Sequence, residues 1–360
     1  MDELRAAIDA IDQQLLLMLN QRALLADKIG DIKRKEGSNV YRPDREAQVV
    51  HKLQTANQGP LNTNSIANIW REVMSACRAL EAPHRVAYLG PEGTFTEQAA
   101  ENFFGMSIER VLCTNFDEVF RATASGRANF GVVPVENSTE GVVARSLDLL
   151  LSSPLHIIGE TSLLVRHNLL RKQNSLQDIE VVYAHPQAIA QCQAWLNEHL
   201  NHAERHAVAS NSEGARLATE NPACAAIASQ RAANRFGLHV VAPSIQDEVY
   251  NRTRFVGVCL PQTLGMPETS GNDCTSLVVS VSNRPGAVYD LLEPIKRHGV
   301  SMTRFESRPA RSGQQWEYFF YIDLQGHISQ PQVRAALDDL QPICSFYKML
   351  GSYAISNAGE

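Results

Sequence analysis

A threonine set between two arginines is where this sequence first suggests chemistry. Tyr250-Asn251-Arg252-Thr253-Arg254-Phe255-Val256 places a hydroxyl, an amide and two guanidiniums at the head of an apolar run that continues to Val258. Polar groups at the mouth of a strand are where α/β proteins commonly hold small ligands. Arginine grips carboxylates through two parallel hydrogen bonds, and a threonine between two arginines can donate to a leaving oxygen. The same residues also suit a strand that simply begins with exposed charges.

A second set lies near the N-terminus. Leu4, Ile8, Ile11, Leu15, Met18, Arg22, Leu25, Ile29 and Ile32 are spaced alternately four and three apart. One helix this long cannot bury such a heptad seam alone, so pairing with another chain is expected. Arg22 interrupts the dry stripe. It must snorkel to water, pair with a structural carboxylate, or meet a bound anion. Lys33, eleven residues on, returns to nearly the same face about 16 Å along the axis, so the two could hold one small dianion. Arg5 sits roughly 25 Å from Arg22 and turns to another side; if it serves the same anion, it comes from an antiparallel second subunit.

The elements around these residues divide the chain into three parts. A long first helix is followed by Gly37-Ser38-Asn39, then by a helix entered at Pro43 and ending near Ala56. Gly59-Pro60 breaks it, and a third helix is expected over 64–81. Composition changes at Ala82-Pro83-His84. Beyond it, Thr94 with Glu97, Asn115 with Glu118 and Ser210 with Glu213 form capping patterns between apolar runs at 107–112, 130–135 and 206–209. Strands alternating with helices predict a largely parallel sheet, and polar clusters in both halves suit two lobes around a cleft. Those clusters are Pro134-Val135-Glu136-Asn137-Ser138-Thr139-Glu140-Gly141 and Ala184-His185-Pro186-Gln187 with Gln191. After the linker Thr269-Ser270-Gly271-Asn272, strands at 275–281, 301–308, 316–323 and 345–350 and helices at 287–297 and 331–340 give the βαββαβ order of a ferredoxin-like unit.

Three resemblances cover nearly the whole chain. The helical stretch resembles the all-helical chorismate mutase family, with Arg5, Arg22, Lys33, Arg45 and Glu46 on that family's binding positions. The resemblance implies that the arginines hold two carboxylates, Lys33 faces an ether oxygen and Glu46 takes a ring hydroxyl. Cys77 stands where the best-known member has a serine, and Glu81 where it has a glutamine at the ether oxygen. Glu81 can donate there only when protonated, which implies mutase activity that falls as pH rises. The middle resembles prephenate dehydratase through Gly90-Pro91-Glu92-Gly93-Thr94-Phe95, Pro134-Val135-Glu136-Asn137-Ser138, His185-Pro186-Gln187 and Asn251-Arg252-Thr253-Arg254-Phe255. It implies that Thr253 is the main catalytic residue and that Arg254 and Phe255 shape the site. Asn137 and Gln191 would be polar pocket residues, and Thr94, Ser138 and Thr139 binders. Ala184 stands where some relatives have a serine, and His185 reads as structural beside Pro186. The C-terminal part resembles the ACT domain through Asn283-Arg284-Pro285-Gly286-Ala287-Val288 and Glu306-Ser307-Arg308-Pro309. There Asn283, Gly286, Ala287, Val288, Glu306, Ser307 and Arg308 would line a phenylalanine site between subunits.

Composition bounds the rest. The 360 residues are 44% hydrophobic and 20% charged with a net charge of −6, ordinary for globular protein and unlike a nucleic-acid face. The charged start, Met1-Asp2-Glu3-Leu4-Arg5, lacks an apolar signal core, and no run is long enough to span a bilayer. Seven dispersed cysteines suggest reduced thiols in the cytoplasm, and the eleven histidines show no metal-type spacing.

The expectation is therefore a multi-domain enzyme: all-α mutase helices at 1–82, a two-lobed α/β dehydratase at 84–262 and an α+β regulatory domain at 272–360. It would take chorismate to prephenate, then to phenylpyruvate, water and CO2, with phenylalanine as allosteric ligand and no cofactor or metal. It would be a homodimer with intertwined N-terminal helices. The alternative is a two-lobed binding protein with a helical dimeriser and a sensor; Thr253 among arginines and Arg22 on a dry seam would then have no task.

Overall fold

The computed structural model describes residues 1–36, 41–81, 83–310 and 318–356. The expected turn at Gly37–Asn39, Ala82 of the joint and the expected strand start at Trp316 lie outside these residues.

Three helices come first: α1 (Asp2–Glu36), α2 (Pro43–Ala56) and α3 (Thr63–Glu81). α3 packs on both others and buries Ile66, Met74 and Cys77. The seam of α1 faces outward along its length, with Leu4 71%, Met18 66% and Ile32 54% exposed. Exposed apolar rows of this extent are unusual on a protein that works alone.

The first lobe contains β1 (His84–Leu89), α4 (Phe95–Phe104), β2 (Ile108–Cys113), α5 (Phe116–Ala124), β3 (Phe130–Asn137), β4 (Gly141–Val142), α6 (Ala144–Ser152) and β5 (His156–Leu164). The second contains β6 (Asn168–Arg171), β7 (Val181–Ala184), α7 (Pro186–Gln191), α8 (Gln193–His199), β8 (Glu204–Ala207), α9 (Asn211–Ala218), β9 (Cys224–Ala228), α10 (Gln230–Phe236) and β10 (His239–Ala242). The chain then returns to the first lobe as β11 (Arg252–Cys259).

That return corrects the expectation of a largely parallel sheet. β1 runs parallel to β2 and β3, but β11 inserts between β3 and β5 and is antiparallel to both. In the second lobe β7 is parallel to β8 and β9, while β6 is antiparallel to β9 and β10. A chain that leaves one lobe, builds another and comes back must re-enter its first sheet against the grain. Alternation of strand and helix does not reveal such a crossing.

The C-terminal module is β12 (Asp273–Ser280), α11 (Ala287–Arg297), β13 (Met302–Pro309), β14 (Tyr318–Gln325), α12 (Pro331–Leu340) and β15 (Phe346–Ser356). Its strand order, β13-β14-β12-β15, is that of the ferredoxin-like unit. β15 runs six residues beyond the expected end at 350, and its Ile355 and Ser356 pair with Glu160 and Thr161 of β5. One ten-stranded sheet therefore crosses from the first lobe into the module. Leu147, Leu150 and Val256 of the lobe share a core with Val278, Leu350 and Tyr353 of the module. Side chains buried this way contribute about 1.5–3 kcal/mol each. Gly351 permits the approach, because a Cβ there would run into the Ile157 carbonyl.

Candidate functional site

Thr253 opens onto a cavity of about 830 Å³ between the two lobes. Its floor is the end of β3 and β11; its walls include the starts of α4, α7, α9 and α10. Each of those starts is capped from within the chain. Thr94 accepts from Glu97 N, Ser210 from Glu213 N, Ser229 from Ala232 N and His185 from Gln187 N. Two of the three capping pairs read from sequence, Thr94 with Glu97 and Ser210 with Glu213, thus turn helix N-termini toward one space, which favours an anion.

The hydrogen bonds around Thr253 fix their own polarity. Asn137 Oδ1 receives Thr139 N, Glu140 N and Thr139 Oγ1 at 3.0, 3.0 and 2.6 Å. Its nitrogen must then point the other way, donating to Thr253 Oγ1 and to Asn251 Oδ1, both at 2.8 Å. From the far end, the Glu140 carboxylate can only accept, so it takes Gln191 Nε2 at 3.1 Å. Gln191 Oε1 is left to accept from Asn251 Nδ2 at 3.0 Å and from His167 Nε2 at 2.9 Å. His167 carries its proton on Nε2 for that reason, and burial lowers its basicity and keeps the ring neutral. The chemical result concerns Thr253: its oxygen is already donated to, so its own O–H is available to something in the cavity.

Thr94, Asn137, Gln191 and Thr253 all line this cavity. Thr139 acts behind it by orienting Asn137. Ser138 is exposed and stitches β3 to β11 by accepting from Arg252 N at 2.9 Å and donating to Tyr250 O at 3.0 Å. Phe255 lies in the first-lobe core, 2% exposed. The idea of two arginines flanking the hydroxyl needs correction. Neither Arg252 nor Arg254 lines the cavity, because neighbours on a strand point to opposite faces and a residue between two others shares its face with neither. Arg254 instead binds Asp323 of the C-terminal module at 2.7 Å.

Asn251 and His167 are among the cavity residues that were missed. Asn251, 1% exposed, sits inside the motif but was given no role. His167 follows β5 where the chain crosses between lobes, and that crossover position was its only available signal.

The helical site is more open. Arg22 Nη1 donates to Cys77 Sγ at 3.0 Å, joining α1 to α3, and Arg22 and Lys33 are both half-buried. Glu81 faces Gly30, where a Cβ would fall 2.6 Å from Glu81 Cγ and force that side chain to move. Glu46 is bonded by Arg78, a buried residue absent from the expectations. Arg78 also donates to Phe104 O at 2.6 Å and lies over the Tyr41 ring, tying the helices to the first lobe. Arg5 is exposed with Asp2 3.7 Å away, and Arg45 is exposed beside Gln48. The chain does not bring Arg5 to Arg22.

In the module, Asn283, Gly286 and Val288 are exposed and Ala287 is buried at the entry of α11, where Gly286 takes φ +82°. Val279 and Ser307 both register with Phe320, so this loop and Glu306–Arg308 lie at one end of the sheet, a strand apart. Arg308 binds Asp148 of α6 at 3.1 Å. Among the described residues no group of three or more metal-ligating side chains occurs, and no helix is long and apolar enough to cross a membrane.

Family profiles match in succession: chorismate mutase type II at residues 4–82, prephenate dehydratase at 86–262 and the ACT domain at 275–341. The bifunctional chorismate mutase/prephenate dehydratase of Neisseria gonorrhoeae is 48% identical over 354 residues, 97% of this chain and 95% of that protein. The solved prephenate dehydratase of Arthrobacter aurescens, in complex with L-Phe, is 35% identical with a TM-score of 0.68, covering 75% of this chain and 89% of that one. A structure described as a quorum-quenching acylase has the same TM-score at 28% identity, covering 76% of this chain and 98% of that one. Likeness to the Neisseria protein spans all three parts of the molecule in one alignment, and on that ground the chain belongs to the bifunctional chorismate mutase/prephenate dehydratase family.

Proposed function

We propose that the chain converts chorismate to prephenate on its helices and prephenate to phenylpyruvate, water and CO2 in its cleft, under feedback by phenylalanine at the ACT module. The three working units are residues 1–82, 84–262 and 272–360.

The observation that carries the dehydratase assignment is the Asn137 amide on Thr253 Oγ1 at 2.8 Å. With its oxygen occupied, Thr253 donates its proton into a hydrogen bond with the departing hydroxyl. A threonine is too weak an acid to protonate that group outright, so water completes the transfer. Loss of both groups makes the ring aromatic, so the substrate supplies most of the driving force. The carboxylates are met by the backbone N–H groups at the starts of α4 and α9, with Gln191 as a polar contact and Thr94 holding the first turn of α4 in place. Hydrolytic acyl transfer would need a base on the threonine proton; the neighbour of its oxygen is an amide donor instead.

On the helices, rearrangement of chorismate requires a compact conformer and stabilised charge on the ether oxygen, with no nucleophile or cofactor. Arg22 and Lys33 supply that charge, with Glu81 and Cys77 beside them and Arg45 and Glu46 at the ring end. Arg5 is supplied by a second subunit. The homodimer is supported by the exposed α1 seam, which a second α1 would cover. Phenylalanine binding between modules, at Asn283, Gly286, Ala287, Val288 and Glu306–Arg308, is in keeping with the L-Phe complex of the Arthrobacter protein. A cytoplasmic location is supported by seven free cysteines, six of them buried.

An absorbance assay following chorismate loss and phenylpyruvate appearance tests both activities. Neither signal above background would return the chain to the binding-protein alternative.

A further inference from the structure

The strand pairing that builds the cavity also builds an ionic face behind it. In the register of β11 on β3, Thr253 stands opposite Asn137, and Arg254 opposite Glu136. Successive strand residues point to opposite faces, so the pair at the cavity is backed by a charged pair. The charged pair is covered by the ACT module. Arg254 Nη2 donates to Asp323 Oδ2 at 2.7 Å, and its other nitrogens lie 3.4 Å from Glu160 and 3.7 Å from Glu136. Arg304 of β13 reaches Glu136 at 3.5 Å and Asp323 at 4.0 Å. Asp323 Oδ1 accepts from Ser276 Oγ at 2.6 Å. Since that hydroxyl spends its proton on the carboxylate, Tyr353 must be the donor in its 2.7 Å bond to Ser276. Asp323 is thereby fixed within the module while its other oxygen holds the catalytic sheet. Three carboxylates share two guanidiniums, and burial raises the basicity of Glu160 in spite of Arg254.

We propose that Arg254 is a coupling residue: shared between Asp323 of the module and Glu136 and Glu160 of the catalytic sheet, it ties the position of β14 to the alignment of Thr253 on Asn137. The inference rests on the phenylalanine reading given above. An enclosed ion cluster is costly unless each charge keeps a partner, so a displacement of β13 and β14 is felt at Arg254. On the β3 side the register shifts between Arg254 and Phe255, a local bend that sets the Thr253 end of β11 at its own angle to Asn137. β13 itself carries both Arg304 and Arg308, joining the cluster to the segment assigned to phenylalanine. Arg254 therefore acts on the reaction through its neighbour, as a positioning residue.

The test uses the full chain, measuring dehydratase turnover with and without phenylalanine, and phenylalanine binding by equilibrium dialysis. Asp323→Asn removes the charge that Arg254 shares and leaves the shape. Uninhibited turnover should stay within about twofold and phenylalanine should still bind, while inhibition falls from at least about fivefold to under about twofold. Ser276→Ala keeps every charge and loosens Asp323, so it should weaken inhibition in the same direction by less. It replaces Asp323→Asn if that variant fails to fold by circular dichroism and mutase activity. Undiminished inhibition in the folded variant overturns the coupling, and so does loss of phenylalanine binding itself, which would make the cluster a mere support of the module. A wild-type chain that binds no phenylalanine overturns the regulatory reading along with it.

Discussion

Around Thr253, Asn137, Asn251, Gln191 and Glu140 form an unbroken series of hydrogen bonds within one chain, whereas α1 turns its apolar row and Arg5 away from the rest of the protein. The cleft is finished by its own fold; the helical site, in the reading proposed above, is completed by a second α1. The difference follows from what each reaction needs. Dehydration asks for one correctly polarised hydroxyl in an enclosed space, which two lobes can make. Gathering several cations around a dianion is easier when two helices approach from different subunits, because a single helix cannot bring residues 5 and 22 to one point.

The contrast can be broken most sharply at Thr253. Thr253→Ala should lower dehydratase turnover by about 10²–10³-fold, the usual loss for removing a donor aimed at developing charge, and leave mutase within about twofold. Equal loss of both activities would mean that the two sites are not separable. Ile11→Asp tests the other half. A charge on the seam should split the dimer by sedimentation and cut mutase by on the order of 10²-fold, while dehydratase persists. Mixed Arg5→Ala and Arg22→Ala chains should recover part of the mutase activity, since one composite site in the heterodimer is intact.

Acid should separate the halves by stability. Burial, with Arg78 nearby, lowers His84 to about 4, and burial also lowers His156 and His167. A histidine whose folded value lies below its unfolded value of about 6.5 costs nothing above that pH and destabilises progressively as pH falls toward the folded value. For His84 the loss amounts to about 3 kcal/mol between pH 6.5 and 4. The three helices carry one histidine, the exposed His51. Melting temperature followed against pH should therefore fall for the lobes, and His84→Asn should flatten the curve. The smallest effect belongs to Gly30→Ala, which pushes Glu81 aside: mutase should drop on the order of tenfold. The helix itself gains about 0.5–1 kcal/mol from the loss of glycine freedom. A variant that is less active yet melts no earlier would place Gly30 in the site rather than in the scaffold.

Much of this was legible in the residues. The 3–4 spacing gave α1 and its dry row, and Thr94, Asn115 and Ser210 gave three helix starts to the residue, because caps are local chemistry. What escaped were facts about partners distant in sequence. The placing of Arg254 required knowing that a strand near residue 320 would lie behind it. Arg78 drew no expectation, because its partner, the Phe104 carbonyl at the end of α4, lies 26 residues away. Arg252 and Arg254 were misread for a simpler reason: a strand's two-residue period was available from sequence and already denies Thr253 the company of either.

The pairing of β15 with β5 has one more effect. Cutting the chain after the linker would bare the edge of β5 at Glu160 and Thr161, next to the greasy patch once covered by Tyr353 and Leu350. Such a fragment should clump before it can be assayed for loss of feedback. The sensor is grafted too deeply to be sawn off, and control of this enzyme has to be dissected by single side chains.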